Sequence, residues 1–171
     1  GSMDQAIAKA KEHLEKFIQA FPADRLHVAV FNTVGREVKI NHPSAKGVQA
    51  AFRGISANGG TSYGQGVLCL SKYHPKEEED SLFIFVGDQQ DGQYSFETQV
   101  RVSGLRPMAF GFVYVKGNAG DQNKSVENTA TALGIPCFRI EEATFADPYA
   151  IPRTIRALVA STPVGIRNKP V

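Results

Sequence analysis

Cysteine is scarce in this chain: the 171 residues hold two, Cys69 and Cys137. They lie far apart, one inside a helical apolar pattern and one beside a proline at a strand start. They read as separate buried thiols rather than a disulfide or a metal pair. An excess of one charge is missing too. Nineteen basic and 17 acidic residues leave a formal net charge of +2, and the basic residues are scattered, so no phosphate-binding face is expected. No apolar run approaches bilayer-crossing length, and the N-terminus lacks a basic-then-apolar signal pattern, which predicts a cytoplasmic protein with no membrane association. There is no internal repeat and no low-complexity segment. Gly64-x-Gly66 is not followed by the Lys-Ser/Thr of a P-loop and forms no dinucleotide fingerprint. Ser62, Ser81 and Ser95 lack a Gly-x-Ser-x-Gly context, and the four histidines do not cluster, so hydrolytic or histidine-based catalysis has little support.

With 42% hydrophobic and 21% charged residues, the chain can bury one core, which predicts a single domain over residues 1–160 and a loosely held tail over 161–171. Apolar positions three and four apart from Asp4 to Phe21 mark an amphipathic helix. Leu26 to Phe31 reads as a buried strand, and the alternation in Arg36 to Ile40 as its half-exposed hairpin partner. Helices follow from Ser44, turning Val48, Ala51, Phe52 and Ile55 inward, and from Ser62 to Tyr73. Leu82 to Val86 is continuously apolar, the pattern of a strand covered on both faces. The same holds for Met108 to Val115, with a short amphipathic stretch, Phe96 to Val102, between the two. Val126, Ala130 and Leu133 predict a helix stopped by Gly134, then a last strand at Cys137 to Ile140 and a closing helix through Ile151, Ile155, Leu158 and Val159. The alternation predicts an α/β fold with a mostly parallel sheet.

Two turns carry the chemistry. Gly59-Gly60-Thr61-Ser62-Tyr63 enters a helix, and Asp88 follows the apolar strand, so a hydroxyl and a carboxylate are aimed at the carboxyl end of one sheet, where open α/β folds bind ligands. Oxygen donors of this kind suit Mg²⁺ or Mn²⁺. The plain alternatives are that Thr61 caps the following helix, that Asp88 closes a turn, and that nearby Asp91 is a solvated turn residue.

In order and spacing, Asp24 to Thr33, Gly59 to Tyr63 and the strand ending at Asp88 resemble the von Willebrand factor A domain over almost the whole chain. The resemblance implies a doubly wound, mostly parallel sheet with helices on both faces. It also implies a metal-ion-dependent adhesion site, in which Thr61 and Asp88 match two of three ligand segments. The third, D-x-S-x-S after the first central strand, lies where this sequence begins. Gly1-Ser2-Met3 either continues that motif, making Ser2 a ligand, or is a cloning scar. The family's first strand is missing from the sequence given, and in the family it lies between the strands matched here by Leu26 to Phe31 and Leu82 to Val86. A segment that supplies it is therefore expected. The family usually has a hydroxyl residue before the aspartate, where this chain has Gly87.

The implied function is a non-enzymatic module that binds a protein partner, whose Asp or Glu fills an open metal position. Tyr63, Gln90 and Tyr94 are the candidate partner contacts, as aromatics and amides expected on the rim. A narrower similarity to the C-terminal domain of Ro autoantigen (TROVE-type) proteins would involve nucleic acid only indirectly. Two other readings are a scaffold with an incomplete site in a larger, ribonucleoprotein complex, and a small Rossmann-like nucleotide-binding enzyme.

Overall fold

A computed structural model describes residues 12, 15, 16, 18, 19, 23–32, 34–42, 44–51, 62–76, 80–87, 91, 96–115, 124–141, 143, 147 and 149–160. Its strands are β1 (Val28–Phe31), β2 (Gly35–Val38), β3 (Ser81–Gly87), β4 (Pro107–Tyr114) and β5 (Cys137–Ile140). Its helices are α1 (Ala45–Ala51), α2 (Tyr63–Cys69), α3 (Phe96–Val102), α4 (Ser125–Leu133) and α5 (Ala150–Ala160). The tail over 161–171 lies outside the described residues.

The strands form two sheets. β1 and β2 are an antiparallel hairpin with Phe31 opposite Gly35, while β3, β4 and β5 are parallel in the order β3-β4-β5. Central β4 is buried along almost its whole length, including consecutive residues from Ala109 to Val113. Side chains alternate between the faces of a strand, so both faces of this sheet are covered. On one face, Phe85, Phe110 and Phe112 pack with Tyr63 and Val67 of α2, Phe96 and Val100 of α3, and Val126 and Ala130 of α4. Helix α5 packs on β4. In the hairpin, Val28 and Val38 join Ile18 and Val48 in a second core. Phe31, pointing to the opposite side from Val30, joins the aromatic cluster instead. Helices thus lie on both faces, and the fold is α/β and doubly wound, as the alternation of elements implied.

Local signals explain several boundaries. The Ser44 hydroxyl accepts the Gly47 N–H at 3.1 Å and starts α1. Gly134, in the left-handed region at φ 69°, ends α4 with its N–H on the Thr131 carbonyl.

One expectation fails in an informative way. β3 was expected to be covered on both faces, yet Leu82, Phe83, Ile84 and Val86 are only half-buried. The reason is position: β3 pairs with β4 on one side and, among the described residues, with no strand on the other.

Candidate functional site

Helix α2 joins the two sheets, packing on β1, β2 and α3. Its start marks the candidate site. The Ser62 N–H donates to the Asn32 carbonyl at 2.8 Å, fixing the chain before α2 to the end of β1. One residue on, the Tyr63 ring lies 4.7 Å from Phe31 of β1 and 5.9 Å from Phe85 of β3, measured between centroids. The Tyr63 hydroxyl stands against Gly87, where any Cβ would collide with it. The residues flanking Thr61 and Asp88, namely Ser62 and Gly87, are therefore brought to one edge by a single aromatic side chain. Thr61 and Asp88 themselves lie outside the described residues, as do Ser2, Gln90 and Tyr94.

Three expectations are corrected here. Tyr63 is 1% exposed and belongs to the aromatic core, so it positions the edge rather than offering a surface to a partner. The N-cap of α2 is Ser62, not Thr61, and Ser62 caps without a side-chain hydrogen bond. Its buried hydroxyl instead accepts from Gln99 Nε2 of α3 at 3.4 Å. Asp91, expected to be solvated, has both carboxylate oxygens shielded from solvent, which adds a second carboxylate to the region after β3.

Sequence reasoning missed two participants. Gln99 is buried beneath α2, and its side chain occupies the space that a Cβ on Gly64 would need. The signal was Gly64 and Gly66 inside a helix, since such glycines mark close approach of a neighbour; Gly66 likewise lies against Phe31. Val34 is 67% exposed in the turn after β1, with its N–H on Asn32 Oδ1 at 2.9 Å. An aliphatic residue at the tip of a hairpin was the available clue.

A charged cluster lies at the other end of α2. Glu37 pairs with Lys39 and Lys72, each at 2.8 Å, and accepts from the Tyr73 hydroxyl. These hydrogen bonds, Lys39 first, hold the Glu37 carboxyl down to about 2. His27, just before β1, stacks on Tyr73 at 3.7 Å. The opposite charges satisfy one another, so the cluster ties β2 to the end of α2 and is remote from Gly87.

Among the described residues no three His, Cys, Asp or Glu side chains are grouped to hold a metal, and no helix is long and apolar enough to cross a membrane. No family model and no curated protein sequence matches the chain. Two solved structures do. A conserved hypothetical protein, BatB, from Bacteroides thetaiotaomicron aligns over 92% of this chain and 91% of its own, with 14% identity and a TM-score of 0.62. An aerotolerance-related membrane protein from Bacteroides fragilis, carrying multiple mutations to serine, aligns over 84% and 88%, with 12% identity and a TM-score of 0.50. At these identities the likeness is one of fold alone.

Proposed function

We propose that this chain is a non-enzymatic binding module of the von Willebrand factor A type, which recognises an acidic side chain of a protein partner through a divalent cation. The cation, Mg²⁺ or Mn²⁺, would be held by Thr61 and Asp88, with Ser2 as a further oxygen donor. The carrying observation is the packing of Tyr63 against Gly87, together with the hydrogen bond from Ser62 to Asn32. These contacts draw the chain positions beside Thr61 and Asp88 to one sheet edge.

The donor chemistry fits a hard cation. The candidate ligands are hydroxyls and a carboxylate, with the shielded Asp91 nearby in sequence. The thiols of Cys69 and Cys137 belong to the far end of α2 and to β5, and oxygen ligands without thiolate or imidazole favour Mg²⁺ or Mn²⁺ over Zn²⁺. Gly87 replaces the hydroxyl residue usual before the aspartate, and the Tyr63 hydroxyl stands in the space its side chain would fill. The partner would meet a rim formed by the turn at Val34 and by the segment containing Gln90 and Tyr94. A cytoplasmic location is part of the same proposal.

Mn²⁺ titration followed by electron paramagnetic resonance tests it. Free Mn²⁺ signal should be depleted stoichiometrically by the wild type and not by Asp88→Ala. Equal depletion by both proteins, or none by either, rejects the metal-dependent reading.

A further inference from the structure

The buried polar side chains among the described residues are Ser62, Gln99, Ser103 and Thr129. The Ser103 hydroxyl is satisfied within its own turn, donating to the Val100 carbonyl and accepting the Leu105 N–H at 3.2 Å. Ser62 and Gln99 differ, because they meet each other across the contact between α2 and α3. Gln99 Nε2 donates to Ser62 Oγ at a long 3.4 Å, while Gln99 Oε1 is shielded from solvent with no hydrogen-bond partner. A buried amide that is only half-paired costs stability, since its oxygen has lost water and gained nothing. On packing grounds alone, an apolar side chain of similar size would suit this contact better.

What the amide supplies is position. Phe96 and Gln99 lie three residues apart on α3 and so share a face. The Phe96 ring is 6.0 Å from Tyr63 and 5.3 Å from Phe85, between centroids, and the Gln99 amide reaches Ser62. One face of α3 therefore grips two consecutive residues of the edge. Ser62 in turn donates its N–H to the Asn32 carbonyl at 2.8 Å, and the Tyr63 hydroxyl covers Gly87. Gly64 leaves room for the grip, since a Cβ there would overlap the Gln99 side chain. Ser62 is the extended N-cap of α2, yet its side chain makes no cap bond. An N-cap serine ordinarily turns its hydroxyl to its own helix; here the hydroxyl is committed to α3.

We infer that Gln99 is a positioning residue: through Ser62 it fixes the first turn of α2 against the ends of β1 and β3, at a cost to the stability of the core. A hydrogen bond is directional, so it sets the turn in one place where an apolar contact would let it slide. The consequence for cation binding rests on the function proposed above; the consequence for the turn does not.

The test is the double variant Ser62→Ala/Gln99→Met in the full chain. Removing both partners strands no polar group, so its urea midpoint should equal or exceed that of the wild type, and each single variant should fall below the double. Hydrogen exchange of the amide at position 62, followed by NMR, should nonetheless quicken by about tenfold or more in the double variant, while β4 keeps its protection. Mn²⁺ affinity, read by electron paramagnetic resonance, should fall by about fivefold, the effect of one lost hydrogen bond. Wild-type exchange at position 62 overturns the inference, because the pair would then be packing alone. So does a drop in midpoint large enough to account for the faster exchange, because the loosening would be global. Faster exchange with unchanged Mn²⁺ affinity overturns the link to the cation site. A wild type that binds no Mn²⁺ rejects the proposed function instead, and the exchange result then decides this inference by itself.

Discussion

The hydroxyl of Tyr63 occupies the space above Gly87 that any side chain at position 87 would need. This contact joins the first residue of α2 to the last residue of β3, and it makes the identity of each residue a condition on the other. Gly87→Ala should therefore destabilise the fold by overpacking, by about 1–3 kcal/mol. In a double-mutant cycle, Tyr63→Phe should recover part of that loss, because it removes the atom that collides. Chemical denaturation of the four proteins measures the coupling; strictly additive effects would show that the two residues do not compete for the same space.

A different close approach constrains the hairpin. A Cβ on Gly35 would meet the backbone carbonyl of Gln65, and a backbone group in a packed helix cannot turn aside as a flexible side chain can. Gly35→Ala should cost at least about 1–3 kcal/mol and slightly separate β2 from α2. A urea midpoint unchanged from wild type would contradict this packing.

Acid should unpick the opposite end of α2. Glu37 is held down to about 2 from an ordinary 4.5. Its contribution is therefore complete above the unfolded value and is lost as pH falls toward the folded one. The urea midpoints of wild type and Glu37→Gln should differ most above about pH 5 and converge toward about pH 2. Added salt should narrow the gap, since the partners Lys39 and Lys72 are largely exposed. A difference that grows on acidification would reverse the assignment.

Both thiols should be sluggish. Burial pushes Cys137 up to about 11 and raises Cys69, whose Sγ also donates to the Gly66 carbonyl at 3.3 Å. Little thiolate is then present near pH 8, the form that reacts. Titration with a disulfide reagent should be slow for both cysteines in the folded chain and fast in denaturant. Rapid labelling of the native protein would show that one thiol is accessible and activated.

Much of the fold was legible because its signals are local and mutually consistent. The run Met108 to Val115 announced the central strand, Val126, Ala130, Leu133 and Gly134 announced α4 and its stop, and the alternation in Arg36 to Ile40 announced the half-exposed hairpin partner of β1. What was not legible depends on neighbours. The apolar pattern of β3 is that of an interior strand, yet among the described residues only one of its edges is paired. Tyr63 reads as a rim aromatic at the start of the expected helix, because sequence does not reveal that the first turn of α2 presses onto both sheets. The burial of Gln99 depends on Gly64 leaving it room, a relation between residues far apart in the chain.

The measurement that tests the central claim most directly is the melting temperature of the chain and of Asp88→Ala, each in EDTA and in excess Mg²⁺ or Mn²⁺. A ligand that binds only the folded state stabilises it by mass action, by about 2.7 kcal/mol at a hundred times its dissociation constant. The account predicts a clear rise with cation for the wild type and none for Asp88→Ala. An identical response of the two proteins, or no response from either, would contradict a cation-dependent binding edge at the ends of β1 and β3.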